Sequence, residues 1–481
     1  MENSYSIQKK IGLILGPVLF LVLYNLPTTI ISAEADKVIA IAAWMVVWWI
    51  TETVSISVTA LIPLVMFPLL GIMDMKDVTA NYGSPIVFLF FGGFVMALAL
   101  EKVGLHVRIA LNIVKITGTS PDRVILGFMM ATAFLSMWIS NTATTVVMLP
   151  IALSVIDLLI HDEDGFTKGD KNFALSLMLG IAYAANVGGI ATIIGTPPNT
   201  IAVGFLENEY GIQVSFLHWM MMGVPFTMIM IGVIYLVLVK FIYPNHLSNQ
   251  QQSNQVIDSK LAELGSLQKT ERRVLIIFCV TIFLWITRIY INEYLPFLKL
   301  SDTGISVLAA FAFFTIPFQF SKGEFTLDWK DTVKLPWGIL ILFGGGLALA
   351  KGMSNAGIID YIGQLVAANK GLSVFTITII LIVIMLFMTE LMSNVALVAI
   401  FSPVIAGIAL GLDTEILYML VPIAMSASCA FMLPMATPPN AIVFASGYIK
   451  VSEMAKAGIF LNLISILLII LFAFFVVPMV F

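Results

Sequence analysis

Residues 137–154 read MWISNTATTVVMLPIALS, which gathers Ser140, Asn141, Thr142, Thr144 and Thr145 inside a long apolar run. Hydroxyls and amides are neutral donors and acceptors, and concentrating them in apolar surroundings suits an anion or a small cation. A second such point is Ser393–Asn394, 253 residues after Ser140–Asn141. Two more landmarks are GTPPNT (195–200) and ATPPNA (436–441), 241 residues apart. Pro197–Pro198 and Pro438–Pro439 each remove two backbone donors in succession. That predicts a helix break, with carbonyls freed in the preceding turn. Asn199 and Asn440 are placed to cap or bridge the gap, and Gly188, Gly189 and Gly195 permit a sharp backbone.

Unpaired backbone groups are not tolerated in hydrocarbon, so such breaks persist only where something else satisfies them. Half-helix N-termini offer free N–H groups and a positive dipole end, which suit a carboxylate. Half-helix C-termini and unwound carbonyls suit a small cation such as Na⁺. No Lys or Arg falls within the four motifs, so an anion would be held by neutral donors and dipoles. The candidate binding residues are Ser140, Asn141, Thr142, Ser393 and Asn394, with Thr196, Pro198, Asn199, Thr437, Pro439 and Asn440 from the breaks. A lone SNT would more simply be hydroxyls bonding back to their own helix or packing small against a neighbour. Paired recurrence favours binding. Glu390, three residues before Ser393, reads equally as a functional buried carboxylate or as a helix end near water.

These motifs need elements to hold them. The chain has 481 residues, 60% of them hydrophobic and 11% charged, with mean hydropathy +1.02. A soluble protein carries about 25% charged residues, so the composition defines a polytopic membrane protein. Roughly eleven stretches approach the ~20 apolar residues that span a bilayer. Short alternating strands are absent, which excludes an outer-membrane barrel. The expected fold is an all-α polytopic membrane protein of about eleven spans with two re-entrant hairpins in an inverted-topology repeat. Lys9 and Lys10 followed by an apolar run mimic a signal peptide. The run's length and Pro17 favour a first span instead, within residues 1–35.

The halves resemble each other beyond the motifs. Asp77 and Asp331 are 254 apart, and the pairs Gly92–Gly93 and Gly344–Gly345 are 252 apart. Four landmarks in one order indicate an internal duplication: residues 36–242 and 272–481, joined by a polar linker at 243–271. The stretches 121–160 and 371–411 each hold an SN near the centre and are twice too long for one span, so each is expected to be a hairpin. Five crossings between the two FGG segments then invert the second copy. Lysines and arginines at 9–10, 102–123, 260–273 and 322–334 fall on one side, which places the N-terminus in the cytoplasm and Phe481 outside. The charged stretch 101–117 is expected to lie along the cytoplasmic surface.

Other function classes are disfavoured. A net charge of −4 gives no nucleic-acid signal. Cys279, Cys429 and four scattered histidines make neither a disulfide framework nor a metal cluster. Only isolated carboxylates are present, so no enzyme constellation forms. Rings of charge for an anion channel are missing as well. No cofactor is expected beyond Na⁺ as a coupling ion; the partners are a small anion and the lipid bilayer.

With SNT and TPPN paired across inverted halves, the chain resembles the divalent anion/sodium symporter family of dicarboxylate and citrate carriers over nearly its whole length. The resemblance implies a homodimer in a bacterial plasma membrane, with scaffold and transport domains working by an elevator movement. It implies that the SNT residues bind substrate carboxylates. Its two Na⁺ sites would involve Ser136, Ser140 and Asn141 with Gly195, and Thr389, Ser393 and Asn394. One departure stands out. The second motif reads SNV, so Val395 replaces a threonine hydroxyl with a methyl. That loss leads to the expectation of exchange between dicarboxylates of the succinate, malate or 2-oxoglutarate type, ahead of Na⁺ symport.

Overall fold

A computed structural model describes residues 6–26, 31–118, 120–160, 167–245, 252–319, 323–368, 371 and 373–481. Nearly all of them are helical, and eight helices are long and apolar enough to cross a membrane. Six shorter apolar helices of 10–17 residues accompany them. Two of the shorter helices, Asn141–Asp157 and Val374–Met388, belong to interrupted helix pairs. One pair of helices, Pro121–Ser136 and Asn141–Ile160, is interrupted at Met137–Ser140. The other pair, Val374–Met388 and Asn394–Gly411, is interrupted at Thr389–Ser393. We refer to these interruptions as the first and second tips.

Local sequence explains where helices start. Ser32 accepts a hydrogen bond from the Ala35 N–H at 3.0 Å, and Thr167 and Asp170 form a reciprocal capping box. Ser393 caps the helix Asn394–Gly411 by accepting from Ala396. Two parts depart from the expected layout. The polar linker is partly helical: Gln252–Leu264 is a helix whose Ile257, Leu261 and Leu264 share one face and pack on the core. The following helix, Lys269–Tyr294, begins inside the expected linker. The fold is also not purely helical, since Pro317–Gln319 and Glu324–Phe325 pair as a short antiparallel ribbon.

Ion pairs tie the helix ends into two sets. Lys102 meets Asp331 at 2.6 Å, Arg108 meets Glu271 at 2.9 Å, Lys171 meets Glu453 at 2.5 Å, and Lys240 meets Asp122. The other set joins Arg288 to Asp302 at 2.8 Å and Lys351 to Glu209 at 3.4 Å. Arg108 does the most. Besides Glu271 it donates to the Leu264 and Gly265 carbonyls, closing the end of the linker helix onto the helix Leu105–Thr117.

Candidate functional site

Each half contains a broken helix. Lys168–Gly188 gives way at a 3-10 turn, Gly189–Ala191, and the chain restarts as Pro197–Tyr210. Ile416–Ala427 ends before an irregular stretch, and the chain restarts as Pro438–Phe444. The prolines occupy the first turn of the restarting helices. There a missing N–H leaves no carbonyl unpaired that an intact helix would have satisfied. The expectation that they break the helix by stripping donors is therefore corrected: they start a helix that the preceding residues have already ended.

What bridges each break is its asparagine. The Asn199 amide donates to the Gly189 carbonyl at 3.0 Å and to the Thr192 carbonyl at 2.8 Å. The Asn440 amide donates to the Ala430 and Leu433 carbonyls, both at 3.1 Å. All three positions in the second set lie 241 residues after their counterparts, so the duplication extends to individual hydrogen bonds. Asn199 and Asn440 are fully buried, and Pro198, Pro439, Thr196 and Thr437 are buried beside them. These six expected binding residues form the frame of the breaks and do not open to solvent.

The residues that remain reachable are at the tips. Ser140 and Thr142 are exposed, and Asn141, Ser393 and Asn394 are half-buried. Trp138 turns away into an aromatic stack with Phe216 and Trp285. Thr145 bonds back to the Asn141 carbonyl at 2.8 Å, which is the ordinary helical role of a hydroxyl. Buried hydroxyls behind the tips fasten them to the broken helices. Ser136 donates to the Ala185 carbonyl at 2.7 Å and reaches the Asn141 Oδ1 at 2.5 Å. Thr389 donates to the Ala427 carbonyl at 2.7 Å. Thr192 in turn donates to the Met137 carbonyl at 2.6 Å. Gly189 lies directly under Asn141, and a Cβ there would come within 2.7 Å of Asn141 Oδ1. Of the proposed cation ligands, Ser136, Asn141 and Gly195 thus belong to one tip-and-break assembly, and Thr389, Ser393 and Asn394 to the other.

The two assemblies are joined by a residue outside the repeated motifs. Asn186 donates to the Ala430 carbonyl at 3.3 Å, Thr437 Oγ1 at 3.1 Å and Asn440 Oδ1 at 3.2 Å. A second cross-link, Tyr183, donates to the Phe431 carbonyl at 2.7 Å. The restarted helices also exchange partners: Pro197–Tyr210 packs on Asn394–Gly411, and Pro438–Phe444 packs on Asn141–Ile160. Ser136 at the first tip bonds to the Ala185 carbonyl, and the next residue, Asn186, bonds across to the second break, so the two assemblies are linked through neighbouring residues of one helix. Polarity outside the repeated motifs was the available signal for Asn186, because position 427 in the second half is alanine. Val395 is 9% exposed and belongs to the core, unlike the exposed Thr142.

This assignment separates the roles of the break residues. Replacing Asn199 with Leu removes both bridging bonds and leaves the Thr192 carbonyl only a 3.4 Å bond from the Gly195 N–H, at a cost of about 1–3 kcal/mol. Pro197→Ala with Pro198→Ala leaves both bonds in place. We expect Asn199→Leu to lower the melting temperature and transport together, and the proline double variant to move either far less. Thermal unfolding and uptake measured on the same preparations check this.

The fold is that of a helical membrane transporter. Two solved transporters share it at low identity: Neisseria gonorrhoeae MtrF, described as illuminating a class of antimetabolite efflux pumps, has TM-score 0.61 and 14% identity over 98% of this chain and 96% of that one. The Alcanivorax borkumensis YdaH transporter has TM-score 0.59 and 12% identity over 97% of this chain and 98% of that one. Residues 8–481 match the sodium:sulfate symporter transmembrane region, and the chain belongs to that family of divalent anion/sodium symporters. It is a transporter and not an enzyme. A protein named sodium-dependent dicarboxylate transporter SdcS, from Staphylococcus saprophyticus, is 39% identical over 99% of this chain and 93% of its own length. Its namesake in Staphylococcus aureus is 39% identical over 100% of this chain and 93% of its own length.

Proposed function

We propose that the chain is a Na⁺-coupled symporter of small dicarboxylates. The observation that carries this reading is the 39% identity, over essentially the whole chain, to relatives named sodium-dependent dicarboxylate transporters. It reverses the order of the sequence reading, which put exchange first. That reading treated Val395 as a donor lost from the site. Val395 is packed in the core, so its methyl displaces nothing at the open face of the tip. The reachable neutral donors, Ser140, Asn141, Thr142, Ser393 and Asn394, are the substrate-binding set. Ser136, Ser140, Asn141 and Gly195, then Thr389, Ser393 and Asn394, are the candidate Na⁺ ligands.

The ion-pair sets support an inverted topology. Segments that the positive-inside bias puts in the cytoplasm pair with one another: 102 with 331, 108 with 271, and 122 with 240. In this reading residues 209, 288, 302 and 351 lie on the outer side, where 209 pairs with 351 and 288 with 302. In this reading the helix pairs interrupted at the tips are re-entrant hairpins, the span count is about eleven, and Phe481 is extracellular. A homodimer in a bacterial plasma membrane, working by an elevator movement of tips and breaks against the remaining helices, completes the proposal. The test is labelled succinate uptake into proteoliposomes, with the Na⁺ gradient and internal dicarboxylate varied independently.

A further inference from the structure

Besides Asn186, the two halves differ at a tip residue that the motifs do not repeat. Glu390 sits beside Thr389 at the second tip; its counterpart 253 residues earlier is Met137. In the first half, residues 189–191 wind into a 3-10 turn and Thr192 donates to the Met137 backbone. In the second half, residues 429–433 form no helix, and their free N–H groups converge on one carboxylate. Glu390 Oε1 accepts from the Phe431 N–H at 2.8 Å and the Met432 N–H at 2.9 Å, and Oε2 accepts from the Leu433 N–H at 3.2 Å. A fourth donor, the Asn462 amide, reaches Oε1 at 2.8 Å from the helix Val451–Leu471.

All four neighbours donate, which is what an acceptor-only carboxylate requires. Three successive backbone N–H groups make an anion-binding concavity, and the chain fills it with its own side chain. Glu390 is 3% exposed, and among the described residues no lysine or arginine forms an ion pair with it. Hydrogen bonds disperse its charge without cancelling it. A negative charge in a low-dielectric interior acts on whatever binds nearby, and the nearest candidate ligands are Thr389 and Ser393. The equivalent position in the first half, Met137, carries no charge. Asn462 shows the same bias, since its Oδ1 is buried without a hydrogen-bond partner while its amide serves the carboxylate.

We propose that Glu390 supplies the fixed charge that gives the second half of the site its affinity for Na⁺, acting through the second break as a positioning residue and not as a ligand. The inference rests on the Na⁺-coupled reading above, but its test needs neither transport nor a gradient. Purified full-length protein in detergent is titrated with NaCl against a constant-ionic-strength choline chloride background, and the melting temperature is followed. Succinate is then titrated at saturating Na⁺. Wild-type protein is stabilised by Na⁺. Glu390→Gln requires at least tenfold more Na⁺ for half the effect, while its succinate midpoint at saturating Na⁺ moves by less than about threefold. A swap variant, Glu390→Gln with Asn462→Asp, keeps one carboxylate and one amide in contact and returns the Na⁺ midpoint to within about threefold of wild type.

The proposal is overturned by folded Glu390→Gln with a wild-type Na⁺ midpoint, or by a folded swap variant that remains Na⁺-insensitive. It is equally overturned if Na⁺ fails to stabilise the wild type, or if both variants fail to fold, which would assign Glu390 to folding alone. Absence of succinate uptake by wild-type protein would instead count against the transport reading and leave a positive Na⁺ titration standing.

Discussion

Asn141→Ala lowers succinate uptake at subsaturating substrate by roughly tenfold to a hundredfold while the protein remains folded. The magnitude follows from losing one hydrogen bond to a charged group, about 1.5–3 kcal/mol, where 1.4 kcal/mol is tenfold. Asn141 opens the helix Asn141–Ile160, is half-buried, and rests on Gly189. Its removal leaves the Ser136 bond to the Ala185 carbonyl intact, so the tip stays fastened to the broken helix. Function is lost at the open face and the frame survives. Asn394→Ala, at the other tip, shifts uptake in the same direction. Size-exclusion profiles and melting temperatures close to wild type, with uptake reduced in both, are the expected pattern. Wild-type uptake in either folded variant would remove that tip from the site.

Gly195→Ala has the larger expected effect. A Cβ at Gly195 would lie 2.5 Å from the Gly189 carbonyl oxygen and 3.0 Å from its Cα. Backbone faces backbone there, so no flexible side chain can give way and the two strands of the break must separate. Gly189 carries two dependents: its carbonyl accepts from Asn199, and its Cα supports Asn141. Moving it disturbs the bridge and the tip together. We expect uptake to fall to background while circular dichroism shows the helical content retained. Gly232→Ala is the control, since a Cβ there meets nothing within 4 Å. Normal uptake by Gly195→Ala would mean that the close approach is not part of the working site.

The sequence disclosed those features that are local and repeated. Paired SN and TPPN motifs marked both tips and both helix restarts, and Asn199 and Asn440 were placed to bridge the breaks. Both do so, down to matching carbonyl partners. The role of the prolines was misjudged for a physical reason. A proline inside a helix and a proline in its first turn look alike in sequence, and only the position of the preceding helix end separates them. Asn186 was invisible because its partners lie 244 to 254 residues away and are set by how the halves cross. Val395 misled in the same way: a threonine-to-valine change matters only if the side chain faces the site, and the direction it faces is a tertiary fact. The role of Glu390 was left open between function and a helix end, and four converging donors now describe its surroundings.

One comparison decides between Na⁺-coupled uptake of dicarboxylate and exchange. Empty proteoliposomes carrying the purified protein receive labelled succinate with an inward Na⁺ gradient; parallel vesicles are preloaded with unlabelled succinate and kept free of Na⁺. Concentrative uptake in the empty vesicles with Na⁺, and little in the preloaded vesicles without it, is the predicted result. Robust uptake confined to the preloaded, Na⁺-free vesicles would contradict it and make the protein an exchanger.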